Sequence, residues 1–265
     1  GNLANVLVTP PGDIHRKLTK LSFDYLGDPF LPFIFGQNNM PLQMAERYNI
    51  SLIFYGENSE VEYGGNMDDA NKPTKDWKFK DKNIHMSGLP PEKFLDYNIS
   101  KKDIFQYLPP DEDKLKKLNL EIHYFGYYHK WNPQENYYYC VENTGFKANP
   151  VRSEGTYSKY ASLDDKLDGF HYYLMFIKFG FGRATSDAAH EVRDGNITRD
   201  EALTLVGRFD GEFPKKFFET FLDYCNISKK DFWDTVDSWR ARHIWKKVDD
   251  KWLLRHKVDK TGVDD

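Results

Sequence analysis

The sequence contains little cysteine, with only Cys140 and Cys225 among 265 residues, and these two lie far apart in no metal-binding spacing. A disulfide framework is therefore excluded, and we expect a reducing compartment, the cytoplasm. The longest apolar stretches, 31–35 and 172–177, are far shorter than the roughly 20 residues that cross a bilayer. Lys and Arg form no long run and the net charge is −4, so we expect neither nucleic acid nor membrane as a partner.

Aromatic residues, in contrast, are abundant, with 17 Tyr and 20 Phe in the chain. Most of these rings are explained by plain core packing. Tyr rings also suit a pocket that stacks on a sugar or a base.

The hydrophobic pattern predicts an α/β fold: part of a parallel sheet followed by a mainly helical carboxy-terminal portion. Continuous apolar runs predict strands at 5–9 and 51–55, and alternation predicts a third at 120–125. We predict two domains, an α/β part at 1–128 with a flap near 64–90, and a helical part at 129–265. The predicted carboxy-terminal elements are helices at 133–144, 161–180, 184–194, 199–210, 214–225 and 229–240, and a hairpin at 245–256.

A candidate catalytic loop follows the predicted strand 51–55. Ligands of open α/β sheets bind beyond the carboxyl ends of the strands, and Gly56 allows a sharp turn there. Glu57 and Asn58 are therefore predicted to point into the crevice, although a solvated acidic loop explains the same residues equally well.

A second candidate site surrounds the segment Lys178-Phe-Gly-Phe-Gly-Arg183. Its glycines precede a predicted helix, which Thr185 or Ser186 could cap, leaving free amides that would bind an anion. Arg183 suits bidentate contact with a phosphate, and the candidate substrate-orienting groups are Lys178, Asp187 and His190. The alternative is a capped surface helix in which Arg183 only pairs with Asp187. A metal site at Asp187, His190 and Glu191 is also conceivable, whereas we interpret His171 as a core histidine with a satisfied partner.

Several sequence segments resemble the N-acetyl-sugar amidotransferase family. The most specific is Ile177-Lys-Phe-Gly-Phe-Gly-Arg-Ala-Thr-Ser-Asp187. The similarity extends over nearly the whole chain through Leu26-Gly-Asp-Pro-Phe30, Tyr55-Gly-Glu-Asn58, Glu62-Tyr-Gly-Gly65, Phe125-Gly-Tyr-Tyr128 with Trp131, Glu154-Gly-Thr-Tyr157 and Ile244-Trp-Lys-Lys247.

The resemblance implies an ATP pyrophosphatase of the adenine-nucleotide α-hydrolase fold. Such enzymes act in lipopolysaccharide (O-antigen), pseudaminic acid and legionaminic acid biosynthesis, where they convert the acetamido group of a nucleotide-linked sugar to an acetamidino group. ATP with Mg²⁺ would activate the amide oxygen as an adenylated imidate. Ammonia from a separate glutamine amidotransferase subunit would then displace AMP. The resemblance does not fix the role of any individual residue, and a homo-oligomer is compatible with it.

The sequence departs from the family at one important point. The family's pyrophosphate-binding Ser-Gly-Gly-Lys-Asp-Ser loop and its amino-terminal cysteine cluster do not occur in this chain, and we expect both upstream of Gly1. We therefore expect this chain alone to be inactive. The rival interpretations are a non-catalytic module that binds a nucleotide sugar or a partner, and another ATP pyrophosphatase such as a tRNA thiolase, which the lack of a basic surface disfavours.

Overall fold

The computed structural model describes residues 3–58, 71–77 and 91–260. The chain divides into two compact units. The first comprises Gly1–Ser22 and Phe30–His129, and the second comprises Phe23–Pro29 and Lys130–Asp265. The predicted flap near 64–90 lies outside the described residues except for 71–77.

The first unit is α/β. Its helices, α1 (Gly12–Leu26, which enters the second unit at Phe23), α2 (Leu31–Tyr48), α3 (Glu112–Lys117) and α4 (Phe125–Tyr128), are joined by 3-10 turns at Pro91–Tyr97 and Phe105–Tyr107. Strands β1 (Leu52–Tyr55) and β2 (Glu121–Tyr124) form a parallel pair in which Tyr55 lies opposite Tyr124. The predicted strands 51–55 and 120–125 are thereby confirmed.

The sequence pattern predicts that Pro41 begins a helix, since proline favours the first helical position, but Pro41 lies inside α2. A proline lacks the N–H that the carbonyl four residues earlier normally accepts, which here is the carbonyl of Gln37. The hydroxyl of Tyr55 donates to that carbonyl oxygen at 3.1 Å, so β1 supplies the hydrogen bond that the helix loses. Because such a tertiary contact is invisible to local pattern, the sequence places the start of this helix wrongly.

The core of the first unit lies between α2, α3 and the sheet. The buried residues of this cluster are Leu42, Ala45, Leu115, Leu120 and Ile122. Two polar side chains of α2 hold the neighbouring turn: Asn39 donates to the carbonyl of Tyr107 at 2.6 Å, and Gln43 donates to that of Leu108 at 2.6 Å. Buried amides thus satisfy backbone carbonyls that the 3-10 turn leaves without partners.

The predicted strand at 5–9 is wrong, because residues 3–10 belong to no helix or strand. Leu7 is 86% exposed, and no described strand pairs with the segment. An apolar run forms a strand only where a neighbouring strand completes the hydrogen-bond ladder. The described sheet of this unit accordingly has two strands.

The second unit is mainly helical, as predicted for the carboxy-terminal part. Its elements are α5 (Pro133–Thr144), α6 (Asp168–Phe179), α7 (Arg183–Asp194), α8 (Arg199–Phe209), α9 (Phe218–Cys225), α10 (Lys229–Ser238) and an antiparallel hairpin of β3 (Trp245–Val248) and β4 (Lys251–Leu254). The segment Thr198-Arg-Asp-Glu201 has the sequence pattern of a capping box, and the structure forms this box at the start of α8. No described helix in either unit combines the length and apolarity needed to cross a membrane.

Two of these helices begin later than the sequence predicts, α6 at Asp168 rather than 161 and α9 at Phe218 rather than 214. In the first case the carboxylate of Asp165 accepts the backbone N–H of Leu167 at 2.6 Å, and Ser162 has a left-handed φ of 56°. Short polar side chains offer the backbone a local alternative to the helix, and here they delay its start.

Aromatic rings dominate the core of the second unit. Phe23 stacks on Phe232 with ring centroids 5.4 Å apart, and Phe170 lies 4.4 Å from Phe221. The indole N–H of Trp245 donates to the carbonyl of Ile177 at 2.6 Å, which fixes the terminal hairpin to α6. Many of the abundant aromatic side chains therefore pack in the core, as the core-packing interpretation of the sequence expected.

Gly27 provides a test of this packing. It has a φ of 58°, and a Cβ added to it would lie 2.8 Å from the indole of Trp239. We expect Gly27→Ala to lower the free energy of unfolding by about 2–4 kcal/mol, since left-handed strain adds to overpacking. Chemical denaturation measures the change.

Gly145→Ala is the matched control, because Gly145 has a φ of 73° and its added Cβ would meet nothing within 4 Å. This variant should lose only the cost of the left-handed backbone. Equal losses in the two variants would mean that the indole of Trp239 does not press on Gly27.

Candidate functional site

The two glycines that precede α7 have separate structural reasons. Gly180 ends α6 with a left-handed φ of 78°, and its added Cβ would lie 3.1 Å from Ile244. Gly182 is the N-cap of α7, and an added Cβ would lie 2.8 Å from a carboxylate oxygen of Asp210. The glycines therefore allow a sharp turn and the close approach of an acidic side chain.

The side chain of Asp210, which follows α8 in the chain, binds the amino terminus of α7. Its carboxylate accepts the N–H of Gly182 at 2.8 Å, the N–H of Thr185 at 3.2 Å and the hydroxyl of Thr185 at 2.7 Å. Burial raises the pKa of Asp210, and these hydrogen bonds partly offset the rise. The expectation that Thr185 or Ser186 caps the helix and leaves an anion site is thus wrong, because the chain supplies its own anion.

Arg183 begins α7 and is held from two sides. Its Nε donates to Asp187 Oδ1 at 3.0 Å, and its guanidinium carbon lies 4.3 Å from the centroid of the Tyr172 ring. The other oxygen of Asp187 accepts the Thr156 hydroxyl at 2.5 Å. The Arg183–Asp187 pair that the alternative interpretation predicted is confirmed, and Thr156 connects it to a separate loop.

That loop is fastened by a second ion pair. Arg152 makes two hydrogen bonds to the carboxylate of Glu212, at 2.6 and 2.8 Å, and Glu212 also accepts the N–H of Gly155 at 2.9 Å. Hydrogen bonding to Arg152 lowers the pKa of Glu212, and the same contact raises the pKa of Arg152. The segment Glu154-Gly-Thr-Tyr157 is therefore bound to both α7 and the loop after α8.

A cleft of about 70 Å³, the Arg183 cleft, opens between these loops and α6. Its charged lining residues are Arg152, Glu154, Asp165, Lys166, Arg183 and Lys216. Tyr172 and Phe217 supply aromatic surface, and Ser153 and Ser162 supply hydroxyl groups. A concave surface with cations, rings and hydroxyl groups suits a polar ligand that carries negative charge.

A buried acid, Asp168, interacts with two residues of the cleft lining, Ser162 and Arg183, and is only 9% exposed. Burial raises its pKa, while a hydrogen bond from Ser162 and the charge of Arg183 partly offset the rise. Burial and the acids Glu191 and Asp187 raise the pKa of Tyr160 to about 12. The Tyr160 hydroxyl therefore stays protonated at neutral pH and donates to Gln134 at 3.0 Å.

Lys178 supports the segment Leu26-Gly-Asp28 and does not line the Arg183 cleft. Its ammonium donates to the carbonyl of Leu26 at 2.8 Å and lies 5.1 Å from the Trp239 ring. Burial lowers its pKa, and Asp28 partly offsets this. The predicted contact of Lys178 with substrate stays a prediction.

His171 has a satisfied partner, as we interpreted it from the sequence. Its Nδ1 lies 2.9 Å from Asp28 Oδ1. Burial lowers the pKa of His171, but the charge and hydrogen bond of Asp28, together with Asp168, outweigh it and raise the pKa above its ordinary value. Within the second unit, the contacts of Lys178 with Leu26 and of Asp187 with Thr156 join the residues 26–29, 154–157 and 177–187 of three segments that carry the resemblance.

The remaining predicted residues of α7 lie away from the cleft lining. Asp187 acts on the cleft through Arg183, and His190 is half-buried further along the helix. Within the described ranges no group of three or more His, Cys, Asp or Glu side chains could hold a metal ion, and this includes Asp187, His190 and Glu191.

Glu57 and Asn58 lie in the first unit, directly after β1 and therefore at the carboxyl end of the parallel pair. Glu57 is exposed and Asn58 is half-buried. The position predicted from the sequence is found, while the predicted catalytic role stays a prediction.

Three side chains on and beside the same sheet form a hydrogen-bond network that was not predicted from the sequence. His123 Nδ1 lies 2.6 Å from the Tyr128 hydroxyl, and its Nε2 lies 3.1 Å from Glu121. Glu121 and His123 are two residues apart in β2, so they lie on the same face of the sheet. This spacing was the available signal, but Tyr128 belongs to α4, and only the turn after β2 brings it back to the imidazole.

Comparison with known families gives one match. Residues 154–259 match the family model described as "LPS biosynthesis protein WbpG-like, C-terminal domain". No curated protein matches the chain. The match covers the Glu154–Tyr157 loop, α6 to α10 and the hairpin, and with them ten of the fourteen residues that line the Arg183 cleft. It supports, at a coarse level, the family that the sequence segments resemble.

The Asp28–His171 pair predicts a pH-dependent loss of stability. Because the folded-state pKa of His171 is raised, the pair stabilises most below the ordinary imidazole pKa of about 6.5, and this stabilisation disappears as the pH rises through the raised pKa. Asp28→Asn should therefore lower the free energy of unfolding by about 1–2 kcal/mol at low pH and by less at high pH.

Denaturation of the wild type and Asp28→Asn at pH 5.5 and 8.5 measures this difference. The same substitution in a His171→Gln background is the control, and there the pH dependence of the loss should vanish. A loss that is constant across the pH range would show that the imidazolium is not what Asp28 stabilises.

Proposed function

We propose that this chain forms the substrate-binding part of an enzyme of lipopolysaccharide biosynthesis, an amidotransferase that converts the acetamido group of a nucleotide-linked sugar to an acetamidino group. One observation carries the proposal. The segment that matches the lipopolysaccharide family supplies ten of the fourteen residues that line the Arg183 cleft, both members of the Arg183–Asp187 pair, and Glu212, the partner of Arg152. The resemblance to N-acetyl-sugar amidotransferases then suggests the reaction.

The chemistry of the substrate explains why such an enzyme needs an activating reagent. An amide carbonyl is a weak electrophile, and its oxygen is a very poor leaving group. ATP supplies the leaving group when bound, and Mg²⁺ neutralises the phosphates. The sequence has no Ser-Gly-Gly-Lys-Asp-Ser loop, and the described residues hold no metal-binding cluster.

The residues of this chain have proposed roles in holding the sugar. Arg183 contacts a phosphate of the nucleotide-linked substrate, because its guanidinium is fixed by Asp187 and lines the cleft. Asp187 acts by positioning Arg183. Lys178 and His190 are proposed to orient the substrate, and Glu57 and Asn58, which follow β1 at the carboxyl end of the parallel pair, keep the catalytic role that the sequence predicts for them.

Ammonia is the second substrate in this proposal, and a glutamine amidotransferase subunit supplies it. Free ammonia is mostly protonated at neutral pH and therefore a poor nucleophile, which is a reason for delivery from a partner. A nucleotide-binding sheet of the adenine-nucleotide α-hydrolase type is part of the same proposal, to which β1 and β2 contribute the described parallel pair.

A second candidate function is a binding module without catalysis. The absence of a pyrophosphate-binding loop from the sequence favours it. Isothermal titration with a nucleotide-linked N-acetyl sugar, run with and without ATP, distinguishes the two functions in the native protein. A binding module takes up the sugar but never consumes ATP.

The purified chain as printed should release no pyrophosphate from ATP. The physical reason is that no loop in this sequence holds the leaving group. The measurement is a coupled pyrophosphate assay with the sugar and ammonium present. Release above the background of a heat-denatured sample would contradict this expectation.

The reaction itself is tested in the cell that makes this protein. Deleting its gene should replace acetamidino groups of the surface polysaccharide by acetamido groups, and mass spectrometry and NMR of the polysaccharide detect the exchange. A polysaccharide that keeps its amidine in the deletion strain would rule out the proposed reaction.

Arg183 is tested by complementation of the same strain. Arg183→Ala in the complete enzyme should lose roughly 2–4 kcal/mol of transition-state stabilisation, and Arg183→Lys should not restore it because a point charge cannot replace a planar fork. Arg193→Ala is the matched control, since Arg193 is exposed at the far end of the same helix. Near-normal activity in Arg183→Ala would remove this residue from the site.

A further inference from the structure

Two lysines of the Arg183 cleft differ from its arginines in how they are paired. Arg152 and Arg183 are bound to Glu212 and Asp187. Within the described part of the chain, in contrast, neither Lys166 nor Lys216 forms an ion pair. Both ammonium groups lie near one ring, that of Phe217, at 5.8 and 4.9 Å from its centroid. Two exposed lysines that form no ion pair with a described carboxylate therefore line the cleft.

The two acids of the lining are committed to backbone groups. Glu154 accepts the N–H of Lys216 at 3.0 Å, and Asp165 accepts that of Leu167 at 2.6 Å. They reduce the positive charge of the cleft but hold its loops in place. The donors that a ligand can meet are thus ammonium and guanidinium groups, because the hydroxyl groups of Ser153 and Ser162 already donate to the Ala161 carbonyl and to Asp168.

The size of the cleft limits what enters it. A volume of about 70 Å³ holds on the order of two waters, or one phosphate group. Pockets that enclose a whole drug-sized ligand are several times larger, roughly 300–1,000 Å³. A larger anionic ligand can therefore place one charged group inside, while the rest lies outside against the rim.

We propose that the Arg183 cleft is a diphosphate subsite, in which one phosphate enters beside Arg183 and the adjoining phosphate lies at the rim between Lys166 and Lys216. The nucleoside or sugar then lies against the ring of Phe217. The ligand class is a nucleoside diphosphate or its sugar ester. This assignment adds Lys166, Lys216 and Phe217 to the binding residues, and it rests on the proposed function only for the identity of the attached sugar.

Isothermal titration of the purified chain tests the subsite with UDP, UMP and uridine as probes. UDP should bind about tenfold more tightly than UMP because it carries an additional phosphate and charge, and uridine should give no measurable binding. The UDP affinity should fall as salt rises, since the rim charges are screened. Uridine binding as tight as that of UDP would overturn the proposal.

Substitutions identify the cations. Lys166→Ala and Lys216→Ala should each weaken UDP binding by about fivefold to tenfold, as expected for single charged contacts. Lys215→Ala is the matched control, because Lys215 is exposed and adjacent in sequence but does not line the cleft. Thermal melting confirms that all three variants fold. If Lys216→Ala and Lys215→Ala bind UDP equally, the subsite is refuted.

The outcome is separable from that of the proposed reaction. Loss of polysaccharide amidine in the deletion strain without UDP binding by the chain would leave the reaction intact and reject the subsite. UDP binding that depends on Lys166 and Lys216, in a protein whose deletion leaves the amidine unchanged, would keep the subsite and reject the reaction.

Discussion

The candidate site depends on the hydrogen bonds that the carboxylate of Asp210 accepts at the start of α7. The hydrogen bonds with Gly182 and Thr185 fix the first turn of the helix, and Arg183 lies between these two residues. Gly182 permits the contact, because any larger side chain would collide with the carboxylate. The amino terminus of a helix attracts an anion, and in this protein that anion is the carboxylate of Asp210. Ligand binding is thereby left to side chains.

Other charged groups of the second unit are likewise neutralised by partners within the protein. Arg183 is paired with Asp187, Arg152 with Glu212 and His171 with Asp28, and each pair connects segments distant in sequence or adjacent turns of one helix. Removing one partner of a partly buried pair leaves an uncompensated charge, so such pairs hold loops in defined places. Lys166 and Lys216 differ from the two arginines of the cleft, because neither forms an ion pair within the described part of the chain.

How far the sequence predicts this structure depends on whether the signal is local. The helices 199–209 and 229–238 are found within a residue or two because Thr198–Glu201 and Ser228–Asp231 cap them by short-range hydrogen bonds. The pair Arg183–Asp187 follows from helical spacing. Three other hydrogen bonds connect separate elements, so the local sequence pattern does not predict them. They are the bond from Thr185 to Asp210, the bond from Tyr55 to the carbonyl of Gln37, and the bond between Tyr128 and His123. The strand at 5–9 fails for the converse reason, since its local signal lacks a described partner.

These contacts make one claim central: the Arg183 cleft is where the phosphate of the substrate binds. A crystal structure of the chain soaked with a nucleotide-linked N-acetyl sugar tests it most directly. The account predicts density for the diphosphate beside Arg183, with the ammonium groups of Lys166 and Lys216 within hydrogen-bonding distance of its oxygens and the ring of Phe217 against the ligand. Density for the ligand at another place, with the cleft holding only water, would contradict it.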